Sequence, residues 1–245
     1  MRITSKGFVN RDQEVTFLFD SKPYKGFVGD TVASALLAND VNLVGRSFKY
    51  HRPRGILGIG SEEPNALISV HKGGKIEPNI RATTQEIYEG LIATSQNSWP
   101  SLKFDALAIN DILAPFFSAG FYYKTFMWPP RFWEALYEPI IRRAAGLGKL
   151  EAKPDVDNYD QNFAFCDLLI IGGGPSGLFS ALLAGRAGLD VILVDENPKL
   201  GGRLLFENTI IDGNHCSDWI QSCLGELKSL ENVRLLSRAT VFGIY

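Results

Sequence analysis

The sequence predicts an α/β fold in two successive domains, the second an incomplete Rossmann-type dinucleotide-binding domain, and three observations predict it. Between residues 15 and 36 an alternating apolar run, a turn and a second run lead into a capped helix. Between residues 167 and 195 the chain reads DLLIIGGGPSGLFSALLAGRAGLDVILVD: strand, glycine-rich turn, small-residue helix, strand and terminal acid. The 245 residues are 45% hydrophobic with a formal net charge of −2, an ordinary globular composition with room for about two small domains.

The N-terminal elements follow in order. Val15 to Phe19 alternates as a strand, Asp20 to Pro23 forms a turn, and Tyr24 to Val28 returns as the second strand. Gly29-Asp30-Thr31 caps a helix that places Val32, Ala35 and Leu36 on one face. A basic, glycine-containing loop leads to a strand over Ala66 to Val70 and a glycine turn over His71 to Lys75. Hairpin, helix, loop and strand in this order predict a small β-grasp domain of ferredoxin type, assigned to residues 1–95.

Residues 96–160 form a connecting segment. Phe116, Phe117, Phe121, Tyr122, Tyr123, Phe126, Trp128, Phe132, Trp133 and Tyr137 make the densest aromatic stretch of the chain. Pro115, Pro129, Pro130 and Pro139 prevent one long helix there. These rings are expected to pack between domains or against a partner subunit, because aromatic residues are enriched at interfaces. Lys149 to Phe163, polar and holding Pro154, is read as a linker into the third segment, residues 161–245.

That segment carries the chemistry. Gly172 permits the tight strand-to-helix turn, Gly174 lets backbone approach a pyrophosphate, and Gly177 lets helix and strand pack closely. Unpaired N–H groups at the helix start, Ser176 among them, face phosphate oxygens with the helix dipole in their favour. Asp195, 18 residues beyond Gly177, is placed to accept the ribose hydroxyls of an adenosine. Its charge would repel a 2′-phosphate, which favours NAD over NADP. Glu196 and Asn197 are expected to line the adenosine side, Arg203 to reach the pyrophosphate as a cation, and Val241 to offer backbone groups to the adenine edge. Pro175 and Gly202 complete the candidate set.

Asp218 to Leu230 follows as an amphipathic helix and Val233 to Leu236 as the next parallel strand. A sheet of this type needs further strands, so the domain is expected to be incomplete as given. The chain alone is then expected to be catalytically silent and prone to association through an unpaired sheet edge.

Several functions are excluded or disfavoured. Near-neutral charge and sparse basic residues among the aromatic rings argue against nucleic-acid binding. The longest apolar candidate for a membrane span, Ile112 to Tyr123, has 12 residues, against about 20 needed to cross a bilayer, and the N-terminus lacks an apolar signal core. Cys166, Cys216 and Cys223 form no CxxC pair and are read as reduced, buried thiols of a cytoplasmic protein. The loop cations Arg46, Lys49, His51, Arg52 and Arg54 suit a bound anion, a solvated loop or intersubunit salt bridges. His71 and His215 are read as structural.

Three further motifs, RSFKYHRPRG (Arg46 to Gly55), Glu63-Pro64-Asn65-Ala66 and SQNSWP (Ser95 to Pro100), join AGFYYKTFMWP (Ala119 to Pro129), GGGPSG and VDEN. Together they resemble the N-terminal part of the α subunits of heterotetrameric sarcosine oxidases. The segment DENPKLGG, Asp195 to Gly202, is similar to flavoproteins of the glutathione-reductase kind. The resemblance implies partnership with β, γ and δ subunits and amine oxidation at a covalent flavin on the β subunit, with FAD and FMN in the wider complex. It implies NAD at the α-subunit site, with FAD the alternative there. It also implies one-carbon transfer from sarcosine to tetrahydrofolate, through a C-terminal domain this sequence does not include. Related α subunits, of opine oxidases and some amino-acid dehydrogenases, hold a [2Fe–2S] cluster through C-x4-C-x2-C after the same PRG. Laid on this sequence, those positions fall on Gly58, Glu63 and Ala66, with the fourth near Thr83; none is cysteine, so no cluster is expected. A self-sufficient flavin reductase, an amino-acid or opine dehydrogenase subunit, and a non-catalytic assembly module are the alternatives.

Overall fold

Alternation in Asn10–Phe19 (β1) buries Val15, Phe17 and Phe19 on one face, and the chain reverses at Asp20-Ser21 into Lys22–Val28 (β2). The computed structural model describes residues 2, 9–116, 120, 128–145 and 158–244, which fall into two compact units, Met1–Asp157 and Asn158–Tyr245.

In the first unit β1 and β2 pair antiparallel from Asn10↔Val28 to Phe19↔Lys22. Thr31 caps helix α1 (Val32–Ala38) through a capping box with Ser34, and buried Asp30 accepts from Phe27 N–H, Ser34 Oγ and the Arg2 guanidinium. The short strands Gly45–Arg46 (β3) and Pro53–Arg54 (β4) pair antiparallel. Then come β5 (Leu67–Lys72), β6 (Lys75–Arg81) and β7 (Ile92–Ser95), giving a sheet ordered β2-β1-β7-β5-β6 with β1 and β7 parallel. Phe17, Leu36, Ile68, Leu91 and Ala93 form its core. This is the α/β ferredoxin-like arrangement expected, with two corrections. The turn read over His71 to Lys75 is only Gly73-Gly74, both at positive φ, and its flanks are strand. The sequence reading also missed β6 and β7, whose polar residues leave no clean alternation.

Residues 96–112 are anchored to this unit. Leu102 is in its core, Gln96 Nε2 donates to Ser69 Oγ, and helix α2 (Ile109–Ile112) carries Asp111 to Arg52. Helix α3 spans Glu138–Ala145. Among the described aromatic residues of this stretch, Trp128 is 81% exposed and Phe132 is also exposed, whereas Trp133 and Tyr137 are half-buried. Phe117, Phe121, Tyr122, Tyr123 and Phe126 lie outside the described residues, as does 146–157 of the linker.

The second unit is a parallel sheet of β8 (Leu168–Ile171), β9 (Val191–Asp195) and β12 (Val233–Ser237), ordered β12-β9-β8. Helices α4 (Pro175–Arg186) and α5 (Cys216–Ser229) cover one face, burying Leu178, Leu182, Leu193, Cys223 and Leu227. The two-residue strands β10 (Ile210–Ile211) and β11 (Asn214–His215) form a hairpin before α5. His215 caps α5 by accepting from Ser217 N–H, and its Nε2 lies 2.7 Å from Asn208 Oδ1. His71 meets Thr94 Oγ1. Cys216 and Cys223 are buried, and burial pushes the Cys223 thiol above its ordinary range. Cys166 is exposed, contrary to the expectation of three buried thiols.

Candidate functional site: a glycine turn between two parallel strands

The turn sits where β8 feeds α4. Gly172 N–H donates to Val194 O, and its φ of +100° is one that L side chains rarely adopt. Gly177 is needed for contact: a Cβ there would lie 1.9 Å from Gly172 O, so only hydrogen lets the helix close on the turn. A Cβ on Gly174 would meet nothing within 4 Å, which leaves open space on the side where a ligand would approach. Gly174 is the N-cap, Pro175 opens the helix, and no side chain caps the first turn. N–H groups of that turn, including those of Ser176 and Gly177, therefore point outward without an intrahelical carbonyl. Such a terminus attracts phosphate.

Asp195 ends the central strand and is 8% exposed. Its Oδ2 accepts from Gly173 N–H at 2.6 Å, and its Oδ1 accepts from Asn197 N–H at 2.7 Å and Asn197 Nδ2 at 3.0 Å. The carboxylate thus braces the glycine turn, a role that sequence reasoning had not given it. Oδ1 is thereby filled, and Oδ2 keeps one further acceptor position. Glu196 is exposed beside it and Asn197 is half-buried. After β12 the chain turns back: Arg238 N–H donates to Asn197 O and Ala239 N–H to Asp195 O, two residues short of Val241.

The double glycine completes the turn from below. Gly201 N–H donates to Gly173 O at 2.7 Å, and a Cβ on Gly202 would lie 2.8 Å from Gly174 Cα. Leu200 is buried, with its Cδ2 2.4 Å from where a Gly173 Cβ would stand. Gly173, Leu200 and Gly201 were missing from the predicted set; the unbroken run of three glycines and the pair at 201–202 are the signals that could have found them. Arg203 is exposed and paired with Glu207 at 2.8 Å, i to i+4. Reaching a pyrophosphate would require it to leave that partner, at small cost for an exposed pair.

In the first unit the basic loop is largely spent internally. Buried His51 bonds buried Asp105 at 2.8 Å, and Arg46 donates to the carbonyls of His51, Leu102 and Lys103. Arg52 pairs with Asp111 at 2.6 Å. These three residues find their partners within the chain, an outcome that neither a bound anion nor an intersubunit salt bridge anticipates. Glu63, at a position where the cysteine pattern of related domains would place a ligand, is 1% exposed with four backbone N–H groups on its carboxylate. Among the described residues no group of three or more His, Cys, Asp or Glu could hold a metal ion, and no helix is long and apolar enough to cross a membrane.

Comparison with known proteins finds two family matches along the chain. Residues 12–98 match the family of 2Fe-2S iron–sulfur cluster binding domains, and residues 167–231 match the FAD dependent oxidoreductase family. The solved L-proline dehydrogenase from P. horikoshii has the same fold over 94% of this chain and 34% of its own, with a TM-score of 0.56 at 19% identity. The sarcosine oxidase α subunit of Rhizobium meliloti (strain 1021) is 58% identical over 100% of this chain, which spans 25% of that protein. The corresponding subunit of Corynebacterium sp. (strain U-96) is 34% identical over 99% of the chain, which spans 20% of it. Identity of this order runs along the whole chain, which is similar to these sarcosine oxidase α subunits and spans only a fifth to a quarter of their length.

Proposed function

We propose that the chain is the dinucleotide-binding portion of a sarcosine oxidase α subunit, in a heterotetramer with β, γ and δ subunits. The glycine turn carries this reading, with its uncapped helix start, its open side at Gly174 and an acid at the end of the next strand. Gly172, Gly174, Ser176 and Gly177 would hold the pyrophosphate. Asp195, Glu196 and Asn197 would line the ribose, Arg203 would supply a cation, and Val241 would edge the adenine. Pro175 presets the helix start and Gly202 keeps the loop close beneath it. NAD is the occupant these residues favour, because a buried carboxylate repels a 2′-phosphate; FAD is the alternative, supported by the match at residues 167–231. When bound, either cofactor supplies a ring that accepts hydride. The residues named here bind and orient it; oxidation of sarcosine to glycine and peroxide, and one-carbon transfer to tetrahydrofolate, belong to the rest of a cytoplasmic complex. The domain division 1–95, 96–160 and 161–245 is part of this reading, as is the glutathione-reductase kind of the second sheet.

Nucleotide released from the denatured complex, identified by mass spectrometry, is expected to include NAD in stoichiometric amount with the α subunit. Equal affinity for NADP by calorimetry would remove the basis for assigning the ribose contact to Asp195.

The cluster implied by the match at residues 12–98 does not fit this chain. An iron–sulfur cluster needs thiolates, and residues 12–98 contain no cysteine. A Cβ on Gly58 would also lie 3.2 Å from Glu62 O and Glu63 Cα, so a ligand there would crowd the loop backbone. Iron and acid-labile sulfide in protein expressed under cluster-loading conditions are expected at background; a stoichiometric cluster in this domain would overturn the assignment.

A further inference from the structure

We propose that residues 57–66 form a built anion site whose resident anion is the Glu63 carboxylate, standing where domains with the cysteine pattern hold their cluster. Four N–H groups converge on it. Leu57 and Gly58 donate to Oε2 at 2.7 and 2.5 Å, and Asn65 and Ala66 donate to Oε1 at 2.7 and 3.0 Å. Gly58 and Ala66 are two of the positions where the cysteine pattern places ligands, and Glu63 is a third. Thr83, near the fourth, donates to Gly60 O at 2.6 Å, and Arg81 Nε donates to Glu63 O at 3.2 Å. Gly58, Glu63 and Ala66 therefore meet at one carboxylate, and Thr83 ties the same loop at Gly60.

The physical reason is shared between the two occupants. Successive backbone N–H groups aimed into a concavity make a site for negative charge, which leaves them costly to bury empty. Clusters bound by thiolates also accept hydrogen bonds at sulfur, so cluster and carboxylate satisfy the same kind of donor. Burial would raise the Glu63 pKa, but the bonds from Gly58, Asn65, Ala66 and Leu57 outweigh it and hold the carboxyl below its ordinary range. On this inference the loop keeps a cluster-binding shape while the domain carries no electron.

The test is chemical rescue with formate. Glu63→Ala should empty the site and lower the melting midpoint by roughly 10 °C, the scale for several buried donors left unpaired. Sodium formate should restore a substantial part of that loss relative to sodium chloride at equal ionic strength, and should leave the wild type unmoved. If Glu63→Ala does not fold, Glu63→Gln keeps the shape and removes the charge. Wild-type stability from this group is present above the ordinary carboxyl pKa of 4.5 and lost as pH falls through the lowered folded value. Glu63→Gln should lack that acid-linked component. A Glu63→Ala midpoint equal to wild type, a formate effect no larger than chloride, or a wild-type acid profile in Glu63→Gln would each overturn the proposal.

Discussion

Gly177→Ala is expected to destabilise the second unit by about 4 kcal/mol or more and to abolish dinucleotide binding. The added Cβ would lie 1.9 Å from Gly172 O and 3.1 Å from Gly172 C, both backbone atoms of the turn itself. No rotamer change relieves such a clash. Either α4 lifts from β8, uncovering Leu178 and Leu182, or the turn loses its bond from Gly172 N–H to Val194 O. Gly174→Ala is the informative partner. Its Cβ meets nothing and its φ of −74° is ordinary, so folding should survive while the nucleotide, which must approach that side, binds more weakly. Thermal melts and nucleotide calorimetry on the complex separate the two. A Gly177→Ala variant that melts like the wild type would refute the packing argument.

Asp195→Ala should cost two things at once. Gly173 N–H, Asn197 N–H and Asn197 Nδ2 lose their acceptor at a buried position, a loss of roughly 2–4 kcal/mol in stability. NAD binding should weaken further by roughly 1.5–3 kcal/mol if the same carboxylate takes the ribose hydroxyls, the scale of hydrogen bonds to a charged group. Glu196→Ala discriminates, because that side chain is exposed and its removal should leave the fold intact. Unchanged NAD affinity in Asp195→Ala, with the loss appearing instead in Glu196→Ala, would move the ribose contact by one residue.

The residues that could be read from sequence share one property: their constraints are local. Gly172, Gly174 and Gly177 are spaced by the geometry of a single strand-to-helix turn, and the Thr31–Ser34 cap by one helical turn. The missing cysteine ligands were legible too, since a donor set is a matter of residue type. Other features depended on pairing across the chain. His51 finds Asp105 54 residues away, and neither flank carries a pattern that announces the other. Strands β6 and β7 have weak alternation, and only the neighbours supplied by β5 and β1 make them strands.

Sequence by itself determined the two-part α/β class, the glycine-rich strand-to-helix turn, the acid at the end of the next strand and the want of thiolates. Tertiary structure alone decided that Asp195 braces Gly173, that Gly201 supports the same turn from a loop 28 residues on, and that Glu63 fills the ligand loop. The physical reason is reach. Sterics and capping act within a few residues and leave a mark on spacing. A buried carboxylate is instead assigned by whichever donors the finished fold brings within hydrogen-bond distance, and those bonds leave no period in the sequence.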